Sequence, residues 1–348
     1  PRPASTGGGW REPASGLNGP GVAPQQQAFN AAAQAAPARA GASSFLGGAL
    51  QTAAGVAGGV MLAQGLMAGG ADGARAALRG FWSAVATSLP FEVARPTADG
   101  KDMRLAPAMQ LMLQWTHYFS PEQLNPFDLN PLRQILSKQV DFERLRAHSP
   151  VKLFVAATRA NSGKLRLFRA EELTPDAVLA SACLPTMHRS VVIDGEPYWD
   201  GGYAANPAVF PLFHECRARD ILLVMLAPLK HSATPQSAAD IKSRMMELAF
   251  NATFLREMRM FAHLRERAAG TAWWRRGDLD RRLAGTHFHV IEASEVMREL
   301  STESKVAANM RFFEMLFALG REHGSAWLSA HHADVGRRSS VDLQALFY

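Results

Sequence analysis

Residues 179–212 run Leu179-Ala-Ser-Ala-Cys-Leu-Pro185, then Val191-Val-Ile-Asp-Gly-Glu-Pro-Tyr-Trp-Asp-Gly-Gly-Tyr203, then Asn206-Pro207 ahead of Pro211-Leu212. The small residues before Pro185 read as the end of a helix, because proline removes a backbone donor and cannot continue the turn. Val191–Ile193 reads as an apolar strand. Asp194-Gly195 is a hairpin dipeptide of the kind that takes positive φ. A second short strand over 196–199 then delivers Asp200 onto a loop, where Gly201 and Gly202 let the backbone fold back tightly. A carboxylate at a strand end, flanked by two residues without side chains, is a candidate general base. The same Asp-Gly-Gly also reads as a plain turn.

Taken whole, the stretch resembles the patatin-like phospholipase family. That family carries its catalytic aspartate in Asp-Gly-Gly or Asp-Gly-Ala, and the flanking Ala-Ser-Ala-Cys-Leu-Pro, Ile-Asp-Gly and Asn-Pro also fit. The resemblance runs from about Val60 into the C-terminal region. It implies a three-layer α/β/α fold and a lipid acyl hydrolase with a Ser–Asp dyad, without a catalytic histidine and without a cofactor or metal. Asp200 would be the general base, and the substrate an ester of a phospholipid or neutral lipid.

The family places its nucleophile in Gly-x-Ser-x-Gly, a sharp strand-to-helix turn. Residues 60–66, Gly69-Gly70 and residues 72–82 resemble the region that follows this turn. Stepping back without gaps puts Gln51 on the first glycine, Ala53 on the serine and Gly55 on the last glycine. Alanine cannot attack, and Gly-x-Ser-x-Gly occurs nowhere in the chain. Ser43 and Ser44 lack the closing glycine and a preceding apolar strand. The family's glycine-rich oxyanion loop has a superficial counterpart in Gly7-Gly8-Gly9. The preceding Pro-Arg-Pro-Ala-Ser-Thr supplies no buried strand to aim it.

Residues 45–59 resemble the C-terminal tail of an uncharacterised bacterial periplasmic family. The expectation is therefore a hybrid chain, joined between Thr52 and Met61, with the first strands, the oxyanion loop and the serine removed. Such a fold is N-terminally truncated. Its expected activity is nil, and the alternative is a non-catalytic lipid-surface binding or scaffold protein.

The chain has 348 residues, of which 47% are hydrophobic, enough for a substantial core. Residues 1–44, rich in Pro, Gly, Ala and Gln, are expected to be disordered. Residues 45–335 are expected to form the domain and 336–348 a C-terminal tail. The start at Pro1 suggests a fragment, and no signal-peptide pattern is present. Cys183 and Cys216 make neither a disulfide framework nor metal spacing, which fits a reducing compartment. The expected location is cytoplasmic, peripheral to the inner membrane. The net charge of +6 is carried mainly by scattered arginines without a nucleic-acid motif, so no nucleic-acid partner is expected.

Residues 40–71 carry no charge, and Gly55/Gly59 and Gly65/Gly69 have the spacing of closely packed helices. The glycines, with Gln51 and Gln64, favour a buried or interfacial helix over a membrane span. A helix is expected over 72–88, with Asp72 as N-cap and Ala76, Ala77, Phe81, Ala84 and Val85 inward. Leu111, Met112, Trp115, Tyr118 and Phe119 read either as core or as an acyl-pocket lining, in a region with a short helix over 109–118. Short helices are expected over 131–136 and 142–147.

The apolar run 151–157 suits a central parallel strand, with 165–168 beside it after the turn at 161–163. A helix over 174–182 follows. Strands are expected over 221–226 and 286–291, and a helix over 305–328. A long helix over 238–267 carries Ile241, Met245, Leu248, Ala249, Ala252, Leu255, Met258 and Phe261 on one stripe, read as core. Trp273-Trp274-Arg275-Arg276 reads as a membrane-surface cluster or an ordinary loop. His287 with His289, and His331 with His332, read as structural because no ligand partners stand at metal spacing. Helices alternating with strands give an α/β class.

Overall fold

Turn chemistry lays down the first sheet. In the computed structural model, Asp194 and Gly195 both take left-handed φ, 54° and 79°. They close a hairpin between β5 (Val191–Ile193) and β6 (Glu196–Asp200), with Ile193 opposite Glu196. Gly163, at φ 67°, does the same for β3 (Phe154–Arg159) and β4 (Leu165–Arg169). The two hairpins join along β3 and β6, giving the order β4-β3-β6-β5. The run near 151–157 is thus a central strand, but an antiparallel one on both sides. Its apolar character reflects burial, which composition does report, and not strand direction, which a tight turn imposes only toward β4.

The structure describes residues 43–88, 94–97, 102–107, 110–111, 115–116, 118–226, 228–229, 231, 234–293, 296–297, 300 and 308–348, without the side chains of 43–54, 239 and 273. The expected disorder of residues 1–42, with Gly7–Gly9 among them, lies outside these residues, whereas Ser43 and Ser44, the end of the expected tail, are helical. Ala40–Tyr348 form one unit.

Helix α1 (Ser43–Thr87) is interrupted at Gly69 and Gly70, whose backbone is non-helical. The chain folds back there so closely that a β-carbon at Gly65 would strike the backbone of Gly73 and Ala74. These glycines pack two arms of one bent helix. Among the described residues no helix is long and apolar enough to cross a membrane. The second arm starts before Asp72, which therefore sits inside the first turn and not at the N-cap, bonded to Arg75 at 2.5 Å. Ala76 is exposed, and Ala74 and Phe81 take the inward positions.

Past α1, β1 (Ala94–Pro96) and β2 (Met103–Leu105) pair antiparallel. Helices α2 (Pro121–Leu124), α3 (Pro131–Gln139) and α4 (Phe142–His148) precede the sheet. Helix α5 (Pro175–Ser181) precedes the β5–β6 hairpin. Thr174 caps it by accepting from the Ala177 amide at 3.1 Å, and Pro175 occupies the first turn. The α1 side chains Val60, Met61 and Phe81 join Leu136, Leu145, Val155, Phe168 and Val178 in the first core.

A second core is built on α6 (Phe210–Glu215), β7 (Asp220–Met225), α7 (Ala238–Gly270), α8 (Asp278–Ala284) and β8 (His287–Glu292). Here β7 and β8 pair parallel, and the long connection between them supplies the crossover that parallel strands need. Helices α9 (Met310–His331) and α10 (Leu343–Phe347) close the chain. Residues 336–348, expected as a tail, carry Leu343 and Phe347 into this core.

The inward stripe of α7 is Phe254, Met258, Phe261 and Ala262. Met258 and Phe261 are as expected. Ile241, Met245 and Leu248 are not: all three are exposed, Met245 by 65%. Their spacing made a stripe, but only the C-terminal half of the helix has a core beside it.

Candidate functional site

Asp200 ends β6, opposite Ala157 of β3. Its position is held from both sides. Its amide donates to the Cys183 carbonyl at 2.8 Å, and its own carbonyl accepts from Thr158 Oγ1 at 2.8 Å. The side chain is held by the turn that follows: Oδ1 accepts from the Gly202 amide at 2.7 Å, closing the 3₁₀ turn Gly201–Tyr203.

Both glycines have a steric reason as well. A β-carbon at Gly201 would run into the Ala156 carbonyl, and one at Gly202 into the ring of Phe250 on α7. Asp-Gly-Gly is therefore a turn and also a close-packed junction between sheet and helix.

The carboxyl group is 0% exposed and its Oδ2 has no hydrogen-bond partner among the described residues. An orphaned carboxylate oxygen in a dry interior favours the neutral acid. Burial accordingly pushes Asp200 up to about 7, with the Gly202 amide pulling the other way. Around it, burial pushes the Cys183 thiol up to about 12 and raises the Tyr203 phenol, with Asp200 adding to both shifts. Cys183 is a poor nucleophile in that state. Its Sγ donates to the Arg189 carbonyl at 3.1 Å. Tyr203 and Phe250 meet edge to face at 5.5 Å above the turn.

Of the residues singled out from sequence, Asp200, Gly201 and Gly202 come together as one turn. Ala53 and Gln51 to Gly55 lie within α1, well after its first residue Ser43, and not at a strand-to-helix turn. The side chains of Ala53, Ser43 and Ser44 lie outside the described residues. The core alternative for this segment is overturned where it is described: Leu111, Trp115, Tyr118 and Phe119 are exposed, while Met112 lies outside the described residues. Sequence reading missed Thr158, Phe250 and Tyr203. Only Tyr203, next to the motif, had a local signal.

Two of the four histidines meet carboxylates. His289 Nε2 meets Asp220 Oδ1 at 3.0 Å and Nδ1 meets Ser340 Oγ at 3.0 Å. His331 Nδ1 meets Asp334 Oδ2 at 3.0 Å. No group of three or more potential metal ligands is present among the described residues. Trp274 is exposed, and Arg276 turns back to the carbonyls of Thr271 and Ala269 at 3.0 and 3.2 Å. The side chain of Trp273 lies outside the described residues. A cavity of about 380 Å³ lies between α7 and residues 339–344, lined by Arg265, Glu266 and Asp342 among others, and none of the residues around Asp200 lines it.

Residues 37–213, just over half of the chain, match the family model described as Patatin-like phospholipase. No curated protein matches the chain.

Proposed function

Since the chain belongs to the patatin-like phospholipase family, whose substrates are lipids, we propose that it is a catalytically silent member that keeps the carboxylate of a Ser–Asp dyad and lacks the nucleophile. Asp200 is the residual base. With a pKa near neutrality it has the basicity to take a proton from a serine hydroxyl, as general-base work at neutral pH requires. The position that the family fills with serine is Ala53, and alanine has no atom to attack a carbonyl.

The observation that carries this reading is the sealed carboxyl of Asp200: fully buried, with Oδ2 unpaired among the described residues. Hydrolysis needs a serine hydroxyl at that oxygen and an acyl group beside it. Residues 51–55 supply no strand-to-helix turn to aim such a group. A hybrid origin of residues 45–59 belongs to the same proposal, because replacing the segment before the join would remove both the serine and its elbow; the family match itself begins at residue 37 and includes them.

The test is hydrolysis of a short-chain p-nitrophenyl ester by the purified protein. No turnover above buffer is expected. Turnover that disappears in Asp200→Asn would overturn the silent reading and show that another nucleophile serves the base.

A further inference from the structure

Between residues 111 and 129, most of the described large apolar side chains face outward. Tyr118 is 82% exposed and Phe127 83%, and Leu111, Trp115, Phe119 and Leu129 are exposed with them. Single exposed hydrophobics need no explanation, but a run of aromatics on one short segment does.

The segment is held by its polar atoms. Asn125 bonds Leu129 in both directions, Nδ2 to its carbonyl and Oδ1 from its amide, each at 2.9 Å. Gln123 Oε1 accepts from the Ser120 amide at 2.9 Å, and the Asp128 amide donates to the Asn125 carbonyl at 3.1 Å. Trp115 and Phe119 brace each other edge to face at 6.4 Å. The aromatics are thus displayed on a turn already ordered, which lowers the entropy lost on binding.

This ledge borders the Asp200 site. Arg189 Nη2 donates to the carbonyls of Glu122 and Pro126 at 3.4 and 3.0 Å. The Arg189 carbonyl accepts from Cys183 Sγ, and the Cys183 carbonyl from the Asp200 amide.

Resting on the lipid-hydrolase reading above, we infer that residues 115–129 are an interfacial ledge that docks on a zwitterionic or neutral lipid surface. Charge selects this occupant. The charged residues of the sequence between 111 and 129 are Glu122 and Asp128, and with Arg189 bonded behind them the ledge carries no excess of positive charge to draw it to an anionic bilayer. Trp and Tyr, apolar in body and polar at one end, suit the headgroup boundary of a neutral one.

The experiment is co-sedimentation of the full chain with phosphatidylcholine vesicles, comparing the Tyr118→Ser/Phe127→Ser pair with Trp274→Ala. Both members of the pair are so exposed that folding is spared, which thermal unfolding checks. Wild type is expected to bind equally at low and high salt, the pair about tenfold or more weaker, and Trp274→Ala unchanged. Three results overturn the ledge: no binding by wild type, unaltered binding by the pair, or binding that needs anionic lipid and fades with salt. Lipid-free self-association abolished by the same pair also overturns it, in favour of a second copy. Failure of the silent-enzyme reading shows separately, as turnover of a soluble ester.

Discussion

Phe250 lies directly over Gly202, so closely that glycine is the only residue whose side chain leaves room for the ring. The two residues are distant in sequence, and their contact closes α7 over the turn that holds Asp200. Gly201 makes the equivalent approach to the Ala156 carbonyl on the sheet side.

Gly201→Ala is therefore expected to destabilise the protein by about 3 kcal/mol, since the obstacle is backbone, and Gly202→Ala by about 1–2 kcal/mol, since the obstacle is a ring. Adding Phe250→Leu should recover stability in Gly202→Ala and none in Gly201→Ala. Urea unfolding of the single and double variants checks this. Recovery in both backgrounds would show that Phe250 is not the specific neighbour.

The second expectation concerns pH. Asp200 is raised by burial from 3.8 to about 7. Between these values the unfolded chain has released a proton that the folded protein still holds. Stability therefore falls as pH rises from about 4 to about 7 and levels off above that, by about 4 kcal/mol. In Asp200→Asn this fall should be absent, because the amide oxygen can still accept from Gly202 and nothing titrates. Urea midpoints measured from pH 4.5 to 8 decide it; parallel curves for the two proteins would mean that the carboxyl is not held protonated.

Restoring the serine alone should restore nothing. Ala53→Ser puts a hydroxyl into a helix that begins at Ser43, with no strand-to-helix turn to expose it and no oxyanion donors described beside it. Ester turnover by Ala53→Ser is expected to remain at the buffer rate. Turnover that Asp200→Asn then removes would show that the elbow was dispensable.

His289 is 1% exposed and links β7, through Asp220, to the C-terminal segment, through Ser340. Asp220 Oδ1 also accepts from the Gly336 amide at 2.8 Å. Removing the imidazole takes a partner from the half-buried Asp220, which keeps the Gly336 amide, and from the Ser340 hydroxyl, and it leaves a cavity. His289→Ala is expected to cost about 3 kcal/mol and to make residues 336–348 the first region open to protease. Mass mapping of limited-proteolysis products tests this, and a cleavage order unchanged from wild type would count against the linkage.

What was legible in the residues themselves was everything set by near neighbours. Asp194-Gly195 and Gly163 specify hairpins because few residues tolerate φ > 0, and Thr174-Pro175 starts a helix because its side chain and ring satisfy the first turn. The Asp-Gly-Gly motif likewise placed Asp200 at a strand end. The missing Gly-x-Ser-x-Gly is a statement about sequence and needs no coordinates. Only the tertiary structure decided which apolar surface meets a core. Met245 and Phe261 carry the same signal on one helix, yet α7 has a sheet and α10 beside Phe261 and solvent beside Met245. It alone showed Asp200 to be buried, in a turn onto which Phe250 arrives from a distant helix. Periodicity records which face of a helix is apolar; whether anything packs on that face is settled by chain segments far away in sequence.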